Sequence, residues 1–244
     1  MHSQSVVRAA LALAQAGANA TDVSKRLGVP RRTMAAWIKG DVPHSAKADS
    51  SGQCQQVHEF ADLSRGYVYL LGLYLGDGCI SKHPRDVYKL RIFLDAKYPG
   101  IIQSARDAIA EVKGVAARTL PRPRNCVEVY SFWKCWPCLF PQHGPGKKHE
   151  RRIELTDWQT TLVDRWPRQL LCGLIHSDGC RFENTGTNWS WPRYGFKQVS
   201  ADIRTTFREA CDRLGLRWTE APNTVYVSRK ADVAVLDEFI GPKR

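Results

Sequence analysis

Two apolar segments of the chain close on the same three residues. One runs Tyr67-Val-Tyr-Leu-Leu-Gly-Leu-Tyr-Leu-Gly-Asp77-Gly78-Cys79, the other Arg168-Gln-Leu-Leu-Cys-Gly-Leu-Ile-His-Ser-Asp178-Gly179-Cys180. Each reads as a helix carrying a carboxylate at its C-terminus, beside the negative end of the helix dipole. Small residues stand four apart in both: Gly72 and Gly76, then Gly173 and Ser177. That spacing gives each helix a flat strip, so the two can approach backbone to backbone. A glycine inside a helix costs up to ~1 kcal/mol, which close packing offsets. Packing of this kind would bring Asp77 and Asp178 together. Two carboxylates meeting at dipole C-termini repel, and a divalent cation between them removes the conflict. Two acids with helix-end carbonyls make a hard-oxygen site suited to Mg²⁺ (or Mn²⁺). Beside a DNA backbone, such an ion activates water and stabilises the leaving oxygen of phosphodiester hydrolysis. Taken singly, either Asp-Gly is a common turn dipeptide. The duplication is what points to chemistry.

The elements around the two acids repeat as well. A strand follows each helix (89–94 and 194–199), then a helix (100–112 and 201–214). Next comes a hairpin whose second strand starts at Asn125 or Asn223, and a short helix closes each half (133–140 and 230–240). Asp77 lies 48 positions before Asn125, and Asp178 lies 45 before Asn223. Matching order and spacing over two halves marks an internal repeat.

Leu70–Gly78 (LLGLYLGDG) and Leu171–Gly179 (LCGLIHSDG) resemble the two motifs of single-chain LAGLIDADG homing endonucleases, and the resemblance covers about residues 63–240. It implies an α+β fold, a pseudo-twofold pair of αββαββα halves, whose motif helices form the seam and whose saddle-shaped sheets lie along the major groove. By position, Asp77 and Asp178 become the metal-binding catalytic acids, with Gly76 and Ser177 beside them at the metal. His176 departs from the motif's acid and is expected at the periphery, against phosphate. The family also places a basic residue near each scissile phosphate, for which Lys134, and Arg229 or Lys230, are candidates. The strand cations Lys89, Arg91 and Lys197, with Arg229, become candidates for DNA contact. A related regulator family joins a degenerate form of this fold to a helix-turn-helix, so a transcriptional regulator without useful cleavage is the alternative.

Residues 1–42 read as a small all-α helix-turn-helix domain. Val6, Val7, Ala10, Leu11 and Ala14 have helical spacing, Gly17 stops that helix, and Thr21 can cap the next. Gly28-Val29-Pro30 turns the chain into a third helix with Met34, Trp37 and Ile38 on its apolar side. Residues 20–40 resemble the resolvase or transposase kind of helix-turn-helix. Arg31, Arg32 and Thr33 would then reach base edges or phosphates, and Lys25, Arg26 and Lys39 the backbone. A polar linker is expected over 43–62, then one half over 63–150 and the other over 151–244.

Thirty-six Lys and Arg against 24 Asp and Glu leave a formal charge of +12 among 244 residues, which suits a polyanionic partner. A protein-interaction scaffold would not need that surplus. No apolar run approaches the ~20 residues of a membrane span. The eight cysteines read as small hydrophobes in a reducing cytosol, in a core large enough to need no disulfides. Cys135-Trp-Pro-Cys138 with His143 and His149 has zinc-like spacing, and an aromatic core run is the competing reading. The run 144–152 is expected to be a solvated loop, and Trp189 and Trp191 are the tryptophans to suspect of DNA contact. The chain is expected to be a free-standing monomer acting on double-stranded DNA in the cytoplasm or nucleoid, with no membrane partner.

Overall fold

A computed structural model of the chain describes residues 4–41, Cys54, 59–241 and Lys243, with side chains from Val6 onward. The chain divides into two compact units, Met1–Gly52 and Gln53–Arg244.

The first unit is three helices, α1 (Gln4–Gln15), α2 (Ala20–Leu27) and α3 (Arg31–Ile38). Val7, Ala10, Val23, Val29, Met34 and Trp37 form its core. The cap of α2 is Asn19 rather than Thr21, its side chain accepting from the Thr21 and Asp22 amides. Thr21 falls two residues too late for the role, because the helix already begins at Ala20. Gly28 ends α2 at φ +65°, which permits the sharp entry into α3. Ile38, expected on the apolar side, is 43% exposed, since Met34 and Trp37 already fill the small core. Arg31, Arg32, Lys25 and Arg26 are exposed and Thr33 is half-buried. The linker expected over 43–62 lies largely outside the described residues.

The second unit is an α+β pair of similar halves. The first half runs α4 (Arg65–Leu75), β1 (Gly78–His83), β2 (Val87–Asp95), α5 (Pro99–Lys113), β3 (Arg118–Arg122), β4 (Cys126–Trp133) and α6 (Trp136–Leu139). A connecting helix, α7 (Asp157–Arg165), precedes the second half. There follow α8 (Pro167–Asp178), β5 (Gly179–Gly186), β6 (Trp189–Lys197), α9 (Ala201–Arg213), β7 (Thr219–Ala221), β8 (Thr224–Val227) and α10 (Lys230–Asp237). Each half carries an antiparallel four-stranded sheet, ordered β1-β2-β4-β3 in one and β5-β6-β8-β7 in the other. The β3–β4 and β7–β8 turns hold Asn125 at φ +54° and Asn223 at φ +61°, left-handed positions that asparagine tolerates.

Alternation along the strands sends one face inward. Leu90, Ile92 and Leu94 of β2, and Tyr194 and Phe196 of β6, pack on the helices. Trp133, expected to open the closing helix, instead ends β4, and Pro137 fits the first turn of a shorter α6. Cys54 and Cys135 are joined by a disulfide with their Cα atoms 5.2 Å apart, which corrects the expectation of free cysteines throughout. No described helix is long and apolar enough to cross a membrane.

Candidate active site

The seam between the halves is made by α4 and α8. A Cβ placed on Gly72 would fall 2.7 Å from the Leu170 carbonyl oxygen and 2.9 Å from Gly173 Cα. One on Gly173 would collide with the Tyr69 carbonyl oxygen. Only bare backbone fits at this crossing, so the two glycines set how closely the helices approach. Gly76 sits one turn further on, where a Cβ would strike the Ser177 side chain and lie 2.9 Å from Asp178 Oδ2. The carboxylate of one half therefore rests against the helix end of the other.

Each acid leaves its helix straight into a strand. Gly78 opposes Ile92 on β2, and Gly179 opposes Phe196 on β6. This register fixes Asp77 and Asp178 at the top of the two sheets, where the helix ends meet. Asp77, with Asp95, Lys97, Tyr98, His176, Ser177 and Lys243, lines a cavity of about 240 Å³. Burial raises the pKa of Asp77, and the nearby Lys148 and Lys243 oppose that rise. Asp178 is pushed up to about 6 by burial and by the charge of Asp77, again opposed by the two lysines. Asp178 Oδ2 rests against Gly76, the residue before Asp77, and the charge of Asp77 acts on Asp178, in keeping with the glycine spacing.

Two lysines complete the arrangement. Lys148 Nζ donates to the Tyr74 (2.6 Å), Leu75 (2.8 Å) and Gly76 carbonyls, the open end of α4. Lys243 Nζ donates to the His176 (3.0 Å) and Ser177 (3.4 Å) carbonyls, the open end of α8. A cation at a helix C-terminus neutralises the dipole as well as the orphan carbonyls. Burial holds the Lys148 ammonium down at about 8, resisted by Asp178 and Asp77.

Lys148 falls inside the run read as a solvated loop. Lys147 behaves as expected there, exposed and paired with Glu150, whereas Lys148 turns inward. Lys243 had no signal beyond its charge. Gln198 was missed too: its Nε2 donates to Asp178 Oδ2 at 2.7 Å. Its position two residues past Phe196, the partner of Gly179, was the available clue.

The basic candidates named from the sequence lie elsewhere. Lys134 follows β4 at the end where Trp133 opposes Tyr88, four residues along β2 from Ile92, or roughly 13 Å at strand rise. Its electrostatic neighbour is Asp86, not Asp77. Lys230 opens α10 with its ammonium 5.7 Å from the Trp191 ring centroid, on the hairpin side. Arg229, beside it, is exposed. Lys89 is held at 2.6 Å by the buried Glu128, and Arg91 lies 5.7 Å from the Phe93 ring. Lys197 is exposed at the end of β6, one residue from Gln198.

His176 is not at the periphery but lines the cavity beside Asp77. Its Nδ1 meets the Tyr69 hydroxyl at 2.9 Å across the seam, and burial lowers its pKa to about 4, leaving it neutral near pH 7. The zinc reading also fails. Cys135 is bonded to Cys54, and among the described residues no three His, Cys, Asp or Glu side chains converge.

No protein-family model matches the chain, and no curated protein matches it. Solved structures do resemble it remotely. The LAGLIDADG meganuclease I-AabMI bound to uncleaved DNA is 13% identical with a TM-score of 0.45, over 71% of this chain and 82% of that one. The N-terminal LAGLIDADG domain of WhiA is 13% identical with a TM-score of 0.44, over 76% and 90%. I-DmoI in complex with DNA and Mn is 14% identical with a TM-score of 0.46, over 75% and 99%. These likenesses assign no residue a role.

Proposed function

We propose that the chain binds double-stranded DNA through its two sheets and hydrolyses it at the paired acids with a divalent metal. The observation that carries the reading is the close packing of two glycine-bearing helix ends, with Asp178 Oδ2 against Gly76, the residue before Asp77. Structural economy alone would not place two repelling acids there. The donor types fit a hard cation: two carboxylates, with the Gly76 and Ser177 carbonyls beside them. An ion bound there would supply Lewis-acid stabilisation of the departing oxygen and a more acidic water.

The remaining roles belong to the chain. Gln198 fixes one Asp178 oxygen, so the other can face the site. Lys148 and Lys243 bring positive charge to where a phosphate would sit, and the closed seam keeps bulk water from behind the acids. On the open sheet faces, Arg91 and Lys197 would meet phosphates, and the exposed Trp189 and Trp191 offer stacking surface. The three-helix unit, with Arg31, Arg32 and Thr33 at the start of α3, would add a second DNA contact of the helix-turn-helix kind.

The engagement of the helix-end carbonyls by two lysines favours a second reading, a transcriptional regulator on the same scaffold. Selection of bound DNA from a random library, then incubation of the winner with Mg²⁺ or Mn²⁺, separates the two. Cutting by the native chain, lost in Asp77→Asn with binding kept, supports the nuclease. Tight binding with intact DNA supports the regulator.

A further inference from the structure

The Gly76 and Ser177 carbonyls are the backbone oxygens that a cation between the two acids would use. Both already receive an ammonium group. The arrangement is repeated rather than incidental. Lys148 comes from the connector between the halves and Lys243 from beyond α10, yet each reaches the end of one seam helix. Lys148 satisfies three successive carbonyls of α4 and Lys243 two of α8. With both lysines inward, two negative carboxylates face two positive ammonium groups and the site is neutral. A divalent ion entering without displacing them would leave two uncompensated positive charges in a half-buried pocket, which is strongly unfavourable.

We infer that Lys148 and Lys243 are tethered counter-cations. They fill the cation positions of the acid pair, so the fold holds Asp77 and Asp178 together without metal or DNA, and metal enters only where a lysine leaves, as when a DNA phosphate draws its ammonium group away. This rests on reading those oxygens as a cation site, but its test needs neither DNA nor cleavage, so the two ideas can fail separately. Replacing one lysine by methionine keeps the length and removes the charge. It should expose a vacancy that a free divalent ion refills.

The test is thermal unfolding of the full chain in chelator, then with Mg²⁺ or Ca²⁺ added, for the native sequence, Lys148→Met and Lys243→Met. The native chain should move by less than about 1 °C, whereas each variant should melt lower in chelator and recover about 3 °C or more with the ion. Should Lys148→Met not fold, the double variant Asp77→Asn/Lys148→Met removes one charge of each sign and should fold better than the single. A native chain that rises as much as the variants overturns the inference. So do variants that gain nothing from either ion, or a double variant no better than the single.

Discussion

The two halves repeat one backbone plan yet treat their acids and their open faces differently. Asp178 is held by Gln198 and raised to about 6, whereas the matching position beside Asp77 is Leu94, which lines the adjoining cavity. On the open faces, Lys89 and Arg193 occupy the same place, three residues before the partner of the motif glycine. Each lies over a tyrosine, Lys89 4.1 Å from the Tyr130 ring centroid and Arg193 3.9 Å from that of Tyr226. In the first half the buried Glu128 then neutralises Lys89 and also pairs with Arg122. Its counterpart in the second half is Thr224, which carries no charge. The second half instead extends its β5–β6 hairpin to the exposed Trp189 and Trp191, which line a surface cavity of about 460 Å³ with Arg193 and Ser228. Duplication sets the frame, while each half's charges and aromatics decide what it can grip.

The comparison breaks first at the seam, which both halves share. Gly72→Leu and Gly173→Leu should each cost about 3 kcal/mol or more, since neither backbone can retreat. Equal losses in chemical denaturation mean a symmetric seam, and a tolerant site on one side means it is not.

Glu128→Gln should cost about 2–3 kcal/mol, because Lys89 loses a buried partner while Arg122 stays open to water. Thr224→Val should cost less than about 1 kcal/mol. The freed cations in Glu128→Gln should also steepen the salt dependence of DNA binding by about one unit of log–log slope.

The acids sharpen the contrast through pH. A carboxyl raised in the folded state keeps its proton where the unfolded chain has released it, so Asp178 stabilises less as pH rises from about 4 to about 6. His176, lowered to about 4, acts in the opposite direction: it stabilises more as pH rises from about 4 to about 6.5. The difference between native and Asp178→Asn isolates the first effect. The variant's advantage over the native chain should grow by on the order of 1 kcal/mol between pH 4 and pH 6 in paired denaturation curves.

The smallest effect belongs to the hairpin. Trp191→Ala should leave the fold unchanged and weaken DNA binding by about fivefold at fixed salt. Phe132→Ala on the first half's face should weaken it less, with Phe132 edge-on to Tyr130 and less exposed than Trp191.

The seam was legible because it is written in local spacing: Gly72 and Gly173 stand at matching places, and their acids follow five residues later. The repeat of strands and helices was legible for the same reason, since period and turn residues act over short range. The lysines were not. Which cation reaches the helix ends depends on how the connector and the last residues fold back over 74 and 67 positions, and charge alone does not record a direction. Strand-end position suggested Lys134 and Lys230, but register carries both to the opposite end of their sheets. The Cys54–Cys135 bond was hidden likewise, with 81 positions between its partners.

Cleavage followed separately on each strand of a selected DNA site, with Mg²⁺ or Mn²⁺, tests most directly whether Asp77 and Asp178 act as one metal-dependent centre. The native chain should cut both strands, while Asp77→Asn and Asp178→Asn should each bind as tightly and cut far more slowly. Undiminished cutting by either variant, or a native chain that holds its site for hours and leaves both strands whole, would contradict the account.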